Sequence, residues 1–485
     1  MRAFYWIVWL VITLAAILFS LSCDTERSLT PNANQPPETH LFLHFSDTLQ
    51  LPGETTSMQV LHWYGDDADG EIVGFEWAWD DTSSWTPTTL MSDTFYVPIR
   101  VPQDTFTFFI RAIDNQGAKD PTPDKLSFPI RNSPPTVVLP VDFTQRYSRV
   151  IYNSFSYFSI GWTGSDPDND ATITNYYWYL ADSSFAPWDS ITADSIWWNQ
   201  SSLDTMSWTQ TDSLTNLAIF SDLQPGSYRF FLRCKDVANA YSSIVFYPDK
   251  VNGAAWNVLP VVGNVLYIDD NNYFFTSDSV NINGALSDIY GEGNYSTWNV
   301  TARVSYYPRD IENTLRLFDI VVWNGSSYPH FRESATAISN YLAAGGHLFA
   351  FSTQARADTT IYPFLPMDSV TTPSISRIFS IFKFSTAPGT YPDTLVSPSP
   401  LSYSYAFRPA SPGALLPQPV EPLYYTLSGN DTLIVSARYP AHSSTQWIPA
   451  QVVYFSMYVF DCNQNNRFYD LMRLILTQEF AHESR

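Results

Sequence analysis

Two stretches of this chain repeat each other, and repetition at that length limits the architecture more than any other feature. HWYGDDADGEIVGFEWAWDD starts at His62, and GWTGSDPDNDATITNYYWYLAD starts at Gly161. Trp63 matches Trp162, and Gly65 matches Gly164. Further on, FTFFIRAIDNQGA from Phe106 matches YRFFLRCKDVANA from Tyr228, so that Arg111 meets Arg233 and Asp114 meets Asp236. The first landmarks lie 99 residues apart and the second 122, which places an insertion inside the second copy. Units of roughly a hundred residues are whole domains, because a solenoid repeat is only about 20–50 residues long.

Within each copy the pattern has a period of two. Phe106, Phe108, Ile110 and Ala112 share one face of a strand, while Thr107, Phe109 and Arg111 share the other. Short alternating runs broken by Asp, Gly and Pro turns predict a β-sandwich. With a W-x-G-x-D-like turn followed by closely spaced aromatics, the two segments resemble fibronectin type III or immunoglobulin-like modules of bacterial surface proteins. The expected limits are residues 37–132 and 133–257, with NSPPTVVLP between the copies. Trp77, Trp79, Trp178, Trp197 and Trp198 are read as core packing of these modules, not as a stacking platform for glycans.

From residue 258 the pattern changes. VGNVLYIDD is a continuous apolar run, as expected of a strand covered on both faces. Ile282, Ala285, Leu286 and Ile289 then recur at helical spacing. STWNVTARV, RDIENTLRLF and DIVVWNG continue as strand, helix and strand. HFRESATAISNYLAAGG is a helix stopped at Gly345-Gly346, and HLFAFS is the next strand. LIVSARY, QVVYFSMY and the amphipathic RFYDLMRLILTQEF follow a less regular stretch. Alternating strands and helices predict an α/β doubly wound parallel sheet over residues 258–485. The landmarks DIVVWNGSS and AGGHLFAFSTQAR resemble the class I glutamine amidotransferase-like, flavodoxin-like fold.

In a doubly wound sheet, ligands sit beyond the carboxyl ends of the strands. That rim offers Asp269, Asp270, Asn271, Asn324, Gly325, Ser352, Thr353 and Gln354. The resemblance implies a nucleophilic cysteine at the place of Ser352, together with a histidine and a carboxylate. Here the residue is serine, Phe351 precedes it, and Gln354 stands where an elbow glycine is expected. His347 begins the same strand and lies roughly 16 Å away along extended chain. His330 and His442 remain as bases that loops could bring to the rim. The resemblance therefore implies a family fold without the cysteine-based catalytic set. The alternative is a surface hydrolase of an amide, ester or glycan, with Ser352 as nucleophile and His442 or His330 as base.

The Asp-rich turns are the other candidate sites. Asp66, Asp67 and Asp69 in the first module, and Asp166, Asp168 and Asp170 in the second, concentrate carboxylates as Ca²⁺ sites do. Ala171 and Tyr177 replace the glycine and glutamate of an EF-hand-like loop, and Asp is common in turns for its own backbone bonding. Structural turns are the preferred reading, with Ca²⁺ as the alternative and no other cofactor expected.

The chain opens with MRAFYWIVWLVITLAAILFSLSC, an apolar run after one arginine, closing on small residues before Cys23. This is an export signal. Its end resembles the lipobox of bacterial lipoproteins, which implies that Cys23 is lipidated and that residues 1–23 are the lipoprotein signal. Residues 24–36 are polar and proline-bearing, the composition of a tether. Cys234 and Cys462 are the other two cysteines, too few for a disulfide framework, and are expected as buried small hydrophobes. A formal charge of −22 disfavours nucleic acid as a partner. The sequence thus predicts a membrane-anchored, non-enzymatic envelope lipoprotein that binds or scaffolds an envelope protein or glycan, at the outer membrane or cell surface.

Overall fold

The computed structural model describes residues 2–20, 33–42, 58–96, 103–139, 153–182, 207–248, 256–270, 276–300, 307–325, 331–352, 363–370, 375, 377–388, 390–401, 405–414, 416–443 and 448–480. Cys23, most of the tether, Trp197 and Trp198 lie outside them. The chain divides into two compact units, Met1–Asn132 and Ser133–Arg485, and strands far outnumber helices. Helix α1 is Arg2–Ser20, and its side chains 6–15 are exposed. No helix is long and apolar enough over its described residues to cross a membrane.

The first unit contains a three-on-four sandwich. One sheet joins β1 (Glu38–Phe42), β2 (Met58–Asp66) and β5 (Ser92–Tyr96); the other orders β4 (Thr86–Thr88), β3 (Ile72–Trp79), β6 (Gln103–Asp114) and β7 (Asp124–Arg131). All pairs are antiparallel. The alternation read in β6 sets the core: Phe106, Phe108, Ile110 and Ala112 are buried. Trp63 fills the gap between the sheets and donates its indole N–H to the Leu90 carbonyl at 2.8 Å. Trp77 and Trp79 pack on Phe95 and Phe108, with ring centroids 5.0 to 6.2 Å apart.

The second unit repeats this theme. Its strands are β8 (Thr136–Val138), β9 (Asn153–Ser154), β10 (Phe158–Gly161), β11 (Thr163–Ser165), β12 (Ile173–Asp182), β13 (Thr209–Asp212), β14 (Leu217–Phe220), β15 (Gly226–Asp236), β16 (Val245–Tyr247) and β17 (Trp256–Val258). The matched residues do matched work. Asp114 caps the turn after β6 by accepting from the Gln116 and Ala118 amides, both at 2.8 Å. Asp236 does the same after β15 through the Ala240 amide at 2.8 Å. Each turn needs one residue at positive φ, and the two copies meet this with Gly117 (φ 85°) and Asn239 (φ 68°), two of the residue types that tolerate that region. Arg111 stacks 4.0 Å over the Trp85 ring, and Arg233 lies over Trp208 and Tyr241 at 4.7 and 4.2 Å.

A nine-stranded sheet follows in the same unit. Its order is β19 (Ser296–Asn299), β18 (Val265–Asp270), β20 (Ile320–Gly325), β21 (His347–Ser352), β28 (Val452–Phe455), β27 (Asp431–Tyr439), β26 (Glu421–Ser428), β23 (Ile378–Lys383) and β24 (Thr394–Leu401). The first five strands are parallel. The last four are antiparallel to their neighbours, which corrects the expectation of a parallel sheet throughout. The reason is local: the less regular stretch after Ser352 supplies hairpins in place of crossover helices, and only a crossover can return a strand parallel. A short pair, β22 (Met367–Val370) with β25 (Phe407–Pro409), stands apart from the sheet.

Helices α2 (Thr276–Tyr290), α3 (Pro308–Leu315), α4 (Phe331–Ala343) and α5 (Arg467–Leu474) cover the sheet. The stripe predicted in α2 is buried at Ile282, Ala285 and Leu286. Helix α4 ends where the glycine pair requires: Gly345 has φ 93°, and a Cβ at Gly346 would run into the Tyr341 ring. The parallel strands alternate strictly. Leu266, Ile268, Val321, Trp323, Leu348 and Ala350 join one core with α3, α4 and the second sandwich. Val265, Tyr267, Val322, Phe349, Phe351 and Val453 join another with α2 and α5.

The second sandwich and the sheet belong to one compact unit. Phe155 of the sandwich packs edge-on against Trp298 at 6.0 Å and Phe318 at 5.3 Å. Beside it, Ser159 donates to Asp310 at 2.8 Å and accepts from Arg309 at 3.0 Å. Burial pushes the Asp310 carboxyl up, with the Ser159 bond and Arg309 charge opposing. Both cysteines described, Cys234 and Cys462, are free and buried, and burial and then the Asp461 charge push the Cys462 thiol up to about 12. Replacing Phe155 with Ala should cost about 3–5 kcal/mol. Peptide-resolved hydrogen exchange is expected to show faster opening in both 207–248 and 256–325; acceleration in only one would contradict the shared core.

Candidate functional site

The register of the parallel strands assembles the expected rim. Asp270 pairs with Gly325, and Gly325 pairs with Ser352, so these three residues form one row across β18, β20 and β21. Asp269 and Asn324 form the row below. Adjacent strands are about 4.8 Å apart, so Asp270 and Ser352 are separated by roughly 10 Å at Cα. Their environment is dry: Asp270, Asn324 and Ser352 are each 0% exposed. Asp270 accepts the Trp323 indole N–H at 3.1 Å, and Asn324 donates to the Tyr267 hydroxyl at 3.5 Å. Asn271, His330, Thr353 and Gln354 lie outside the described residues.

His442 is not at this rim, which corrects its expected role as a base for Ser352. Strand β27 runs antiparallel to β28, and the Tyr439–Val452–Leu348 row marks the amino edge of β21. Ser352 is four residues further toward the carboxyl edge, roughly 13 Å away. His442 lies beyond Tyr439 in the opposite direction. A general base must reach hydrogen-bond distance of its proton, so the pair cannot act together.

At the amino edge, His442 instead joins a buried charged cluster that sequence reasoning did not assemble. Its Nδ1 is 2.6 Å from Glu421 Oε2, and its Nε2 is 3.3 Å from Glu479. Arg438, 0% exposed, is 3.3 Å from Glu479 and donates to the Ile448 carbonyl at 2.7 Å. Two carboxylates, one guanidinium and one imidazolium balance. Buried charges persist only when paired, and removing one partner strands the others. Two signals in sequence pointed this way: Arg438 in the apolar LIVSARY strand, and Glu479 on the apolar side of the last helical segment. Nothing in the sequence paired them.

The titration of the cluster follows from its geometry. Burial alone would lower the His442 imidazole, but hydrogen bonds to Glu421 and Glu479 raise it from 6.5 to about 8. Burial alone would raise the Glu421 carboxyl, but its bonds with His442 hold it below the usual range. Tyr391 adjoins Glu479, and burial, then the Glu479 charge, hold its phenol well above its ordinary value.

The Asp-rich turns are closed by their own carboxylates. In the first module, Asp67 accepts from the Asp69 amide at 3.2 Å, Asp69 from the Gln35 amide at 3.2 Å, and Asp66 lies 3.4 Å from His40. In the second, Asp166 accepts from the Asp168 amide at 2.8 Å and the Thr172 hydroxyl at 2.6 Å. Asp170 accepts from the Asp166 amide at 2.9 Å, and Asp168 from the Ser133 amide at 2.6 Å. Among the described residues, no group of three or more His, Cys, Asp or Glu is placed to hold a metal ion.

A cavity of about 680 Å³ opens on the amino edge of the parallel strands, lined among others by Tyr290, Arg316, Phe318, Asp319, His347 and Phe480. Sequence reasoning placed the pocket at the carboxyl rim; this one lies at the other end of the same strands. The two polar features adjoin. His347 Nδ1 is 2.6 Å from the Ala450 carbonyl, and the Ala450 amide donates to the Glu479 carbonyl at 2.8 Å.

No protein-family model matches this chain, and no curated protein matches it. Several solved structures are similar to parts of it. A putative ThuA-like protein from Bacteroides uniformis is 11% identical, covering 47% of this chain and 93% of its own, with a TM-score of 0.32. A two-domain fibronectin type III segment of chicken tenascin is 10% identical, covering 44% and 97%, with a TM-score of 0.22. The PKD1 domain of Vibrio anguillarum Epp is 18% identical over 20% of this chain and 96% of its own, with a TM-score of 0.15. None of them lends this chain a function.

The His442 cluster gives stability a pH dependence with a definite sign. A raised imidazole contributes fully below pH 6.5 and loses its contribution as pH rises through about 8. The lowered Glu421 carboxyl contributes above 4.5 and is lost as pH falls. The interval from 6.5 to about 8 corresponds to roughly 2 kcal/mol. Urea unfolding should show a loss of roughly that size between pH 6 and pH 9. His442→Gln should be less stable at pH 6 and nearly flat across the window; a wild-type slope retained in this variant would refute the assignment.

Proposed function

We propose that this protein is an exported, lipid-anchored component of a bacterial cell envelope whose work is binding or scaffolding. Two immunoglobulin-like modules carry a glutamine amidotransferase-like α/β part that has no cysteine nucleophile. Support for the anchor comes from the apolar start closing on Cys23 and the polar tether behind it. Support for the modules comes from the repeat and its two equivalent capped turns.

The observation that carries the non-enzymatic reading is the placement of Ser352. Its side chain is fully buried at the end of a central strand, and His442 is on the opposite edge, held between two glutamates. Serine is a weak nucleophile unless a base touches it; of the two candidate bases, His442 is out of reach and His330 lies outside the described residues. The carboxylate in its row, Asp270, serves the Trp323 indole.

Two measurements test this. Radiolabelled palmitate should be incorporated in a bacterial host by the wild-type chain and not by Cys23→Ala; equal labelling would remove the lipid anchor. A fluorophosphonate probe should leave the purified protein unlabelled, whereas labelling abolished by Ser352→Ala would establish the hydrolase instead.

A further inference from the structure

The two copies of the sandwich share one outward-facing element and differ in what completes it. In the first, Arg111 of β6 stacks on Trp85 at 4.0 Å, and Glu76 faces it from β3. The Glu76 carboxylate accepts from Arg111 Nε at 3.0 Å and Nη2 at 2.8 Å, and from Lys119 Nζ at 2.7 Å. Burial alone would raise that carboxyl, but Lys119 and Arg111 hold it below the usual range. Two cations thus close on one carboxylate from the same chain.

The second copy keeps the cations and lacks the carboxylate. Its register sets Arg233 opposite Tyr177 as the first sets Arg111 opposite Glu76. Trp208 directly precedes β13 as Trp85 precedes β4, and Arg233 lies 4.7 Å from its ring. Tyr241 takes the place of Lys119: the bridge Ile113 to Lys119 in one copy is Lys235 to Tyr241 in the other. Arg233 is 4.2 Å from the Tyr241 ring and 5.8 Å from the Tyr177 ring, and Lys235 supplies the second cation, 5.7 Å from Tyr241. Phenols are neutral near pH 7, so neither tyrosine supplies an anion. Among the described residues, Arg233 and Lys235 form no ion pair, and Arg233 Nε is buried without a hydrogen-bond partner. Asp212, in the row of Lys235, is committed to its own turn through the Leu214 and Thr215 amides at 3.1 and 2.8 Å. With 47 acidic residues against 25 basic ones, two neighbouring cations without an acid stand out.

Stacking fixes the plane of a guanidinium and leaves its N–H edge for a carboxylate. The side chain is then ordered in advance, which lowers the entropy lost on binding. The net charge of the chain opposes an anion only weakly at this distance scale, because charges are screened beyond about 8 Å at physiological salt. We propose that the outer face of the second sandwich at Arg233 and Lys235 binds a carboxylate side chain of an acidic polypeptide segment, as Arg111 and Lys119 bind Glu76 in the first. The first copy argues for a protein carboxylate, since there a glutamate projecting from a strand fills the equivalent place. The inference rests on the binding reading proposed above and names a surface and a partner chemistry within it.

The test is fluorescence anisotropy of fluorescein-labelled hexaglutamate with the full chain in detergent, with labelled hexaglutamine controlling for the dye. Saturable binding of hexaglutamate alone is expected, weakening as salt increases. Arg233→Gln should weaken it at least about tenfold, and Lys235→Gln about two- to fivefold. Tyr177→Glu supplies the carboxylate from within the chain and should block binding with both cations still present, whereas Tyr177→Phe should bind as wild type. Thermal melts identify any variant whose loss comes from unfolding, and the Tyr177 pair decides the matter without removing a cation. The inference fails if hexaglutamate does not bind at millimolar concentration, if Arg233→Gln and Lys235→Gln both bind as wild type, or if Tyr177→Glu binds as well as Tyr177→Phe. It also fails if oligogalacturonate or inorganic phosphate displaces hexaglutamate at lower concentration than unlabelled hexaglutamate does. Its failure is separable from that of the binding reading. Fluorophosphonate labelling at Ser352 would overturn the non-enzymatic reading and leave hexaglutamate binding standing, and absence of hexaglutamate binding leaves the palmitate and probe results as they are.

Discussion

Five parallel strands must be kept from water on both faces, and the rest of the second unit is arranged to do this. Their alternation sends Leu266, Ile268, Val321 and Trp323 to one side and Val265, Tyr267 and Val322 to the other. Helices α2 and α5 cover the second side, while α3 and α4 cover only part of the first. The second sandwich completes that cover, with its Phe155 packed against Trp298 and Phe318. A module that could have been a free bead on a string is thereby fixed to the sheet. Its chemistry is apolar, and the polar contact of Ser159 with Asp310 and Arg309 gives the packing a register.

The same strands separate two chemistries by length. At their carboxyl ends Asp270, Asn324 and Ser352 are packed away from solvent, with Asp270 accepting from the Trp323 indole and Asn324 donating to the Tyr267 hydroxyl. At their amino ends the buried Arg438, Glu479 and Glu421, with the half-buried His442, hold the hairpin strands to the last helical segment. That segment supplies Phe480 to the cavity wall. Charge placed in a dry interior is stable only as a balanced set, so the wall, the hairpins and the protonation of His442 depend on one another. The amino edge of the sheet has both open space and charge.

Local patterns were legible because their causes are local. The period-two runs in the sandwiches, the α2 stripe at Ile282, Ala285 and Leu286, and the Gly345 stop of α4 each follow from residues within a few positions of one another. The row that joins Asp270, Gly325 and Ser352 was also legible, since parallel strands of similar length align their ends. The reversal to antiparallel strands was not. The stretch after Ser352 has no strong periodicity, and strand direction depends on what the connecting chain can span. His442 shows the limit most clearly. Its loop offered no sign of which edge it would reach, because that depends on β27 running against β28.

What the sequence by itself determined is the set of units: an apolar start closing on Cys23, two copies of one sandwich, and an alternation of apolar strands and amphipathic helices. These follow from side-chain periodicity and turn chemistry, which act over a few residues. Only the tertiary structure decided which polar groups meet. Glu421, Arg438, His442 and Glu479 are brought together by strand pairing and helix docking. The cavity is bounded by three helix ends that no short-range signal relates. Charges and cavities are made by contacts between distant segments, and the packing of whole layers settles those contacts.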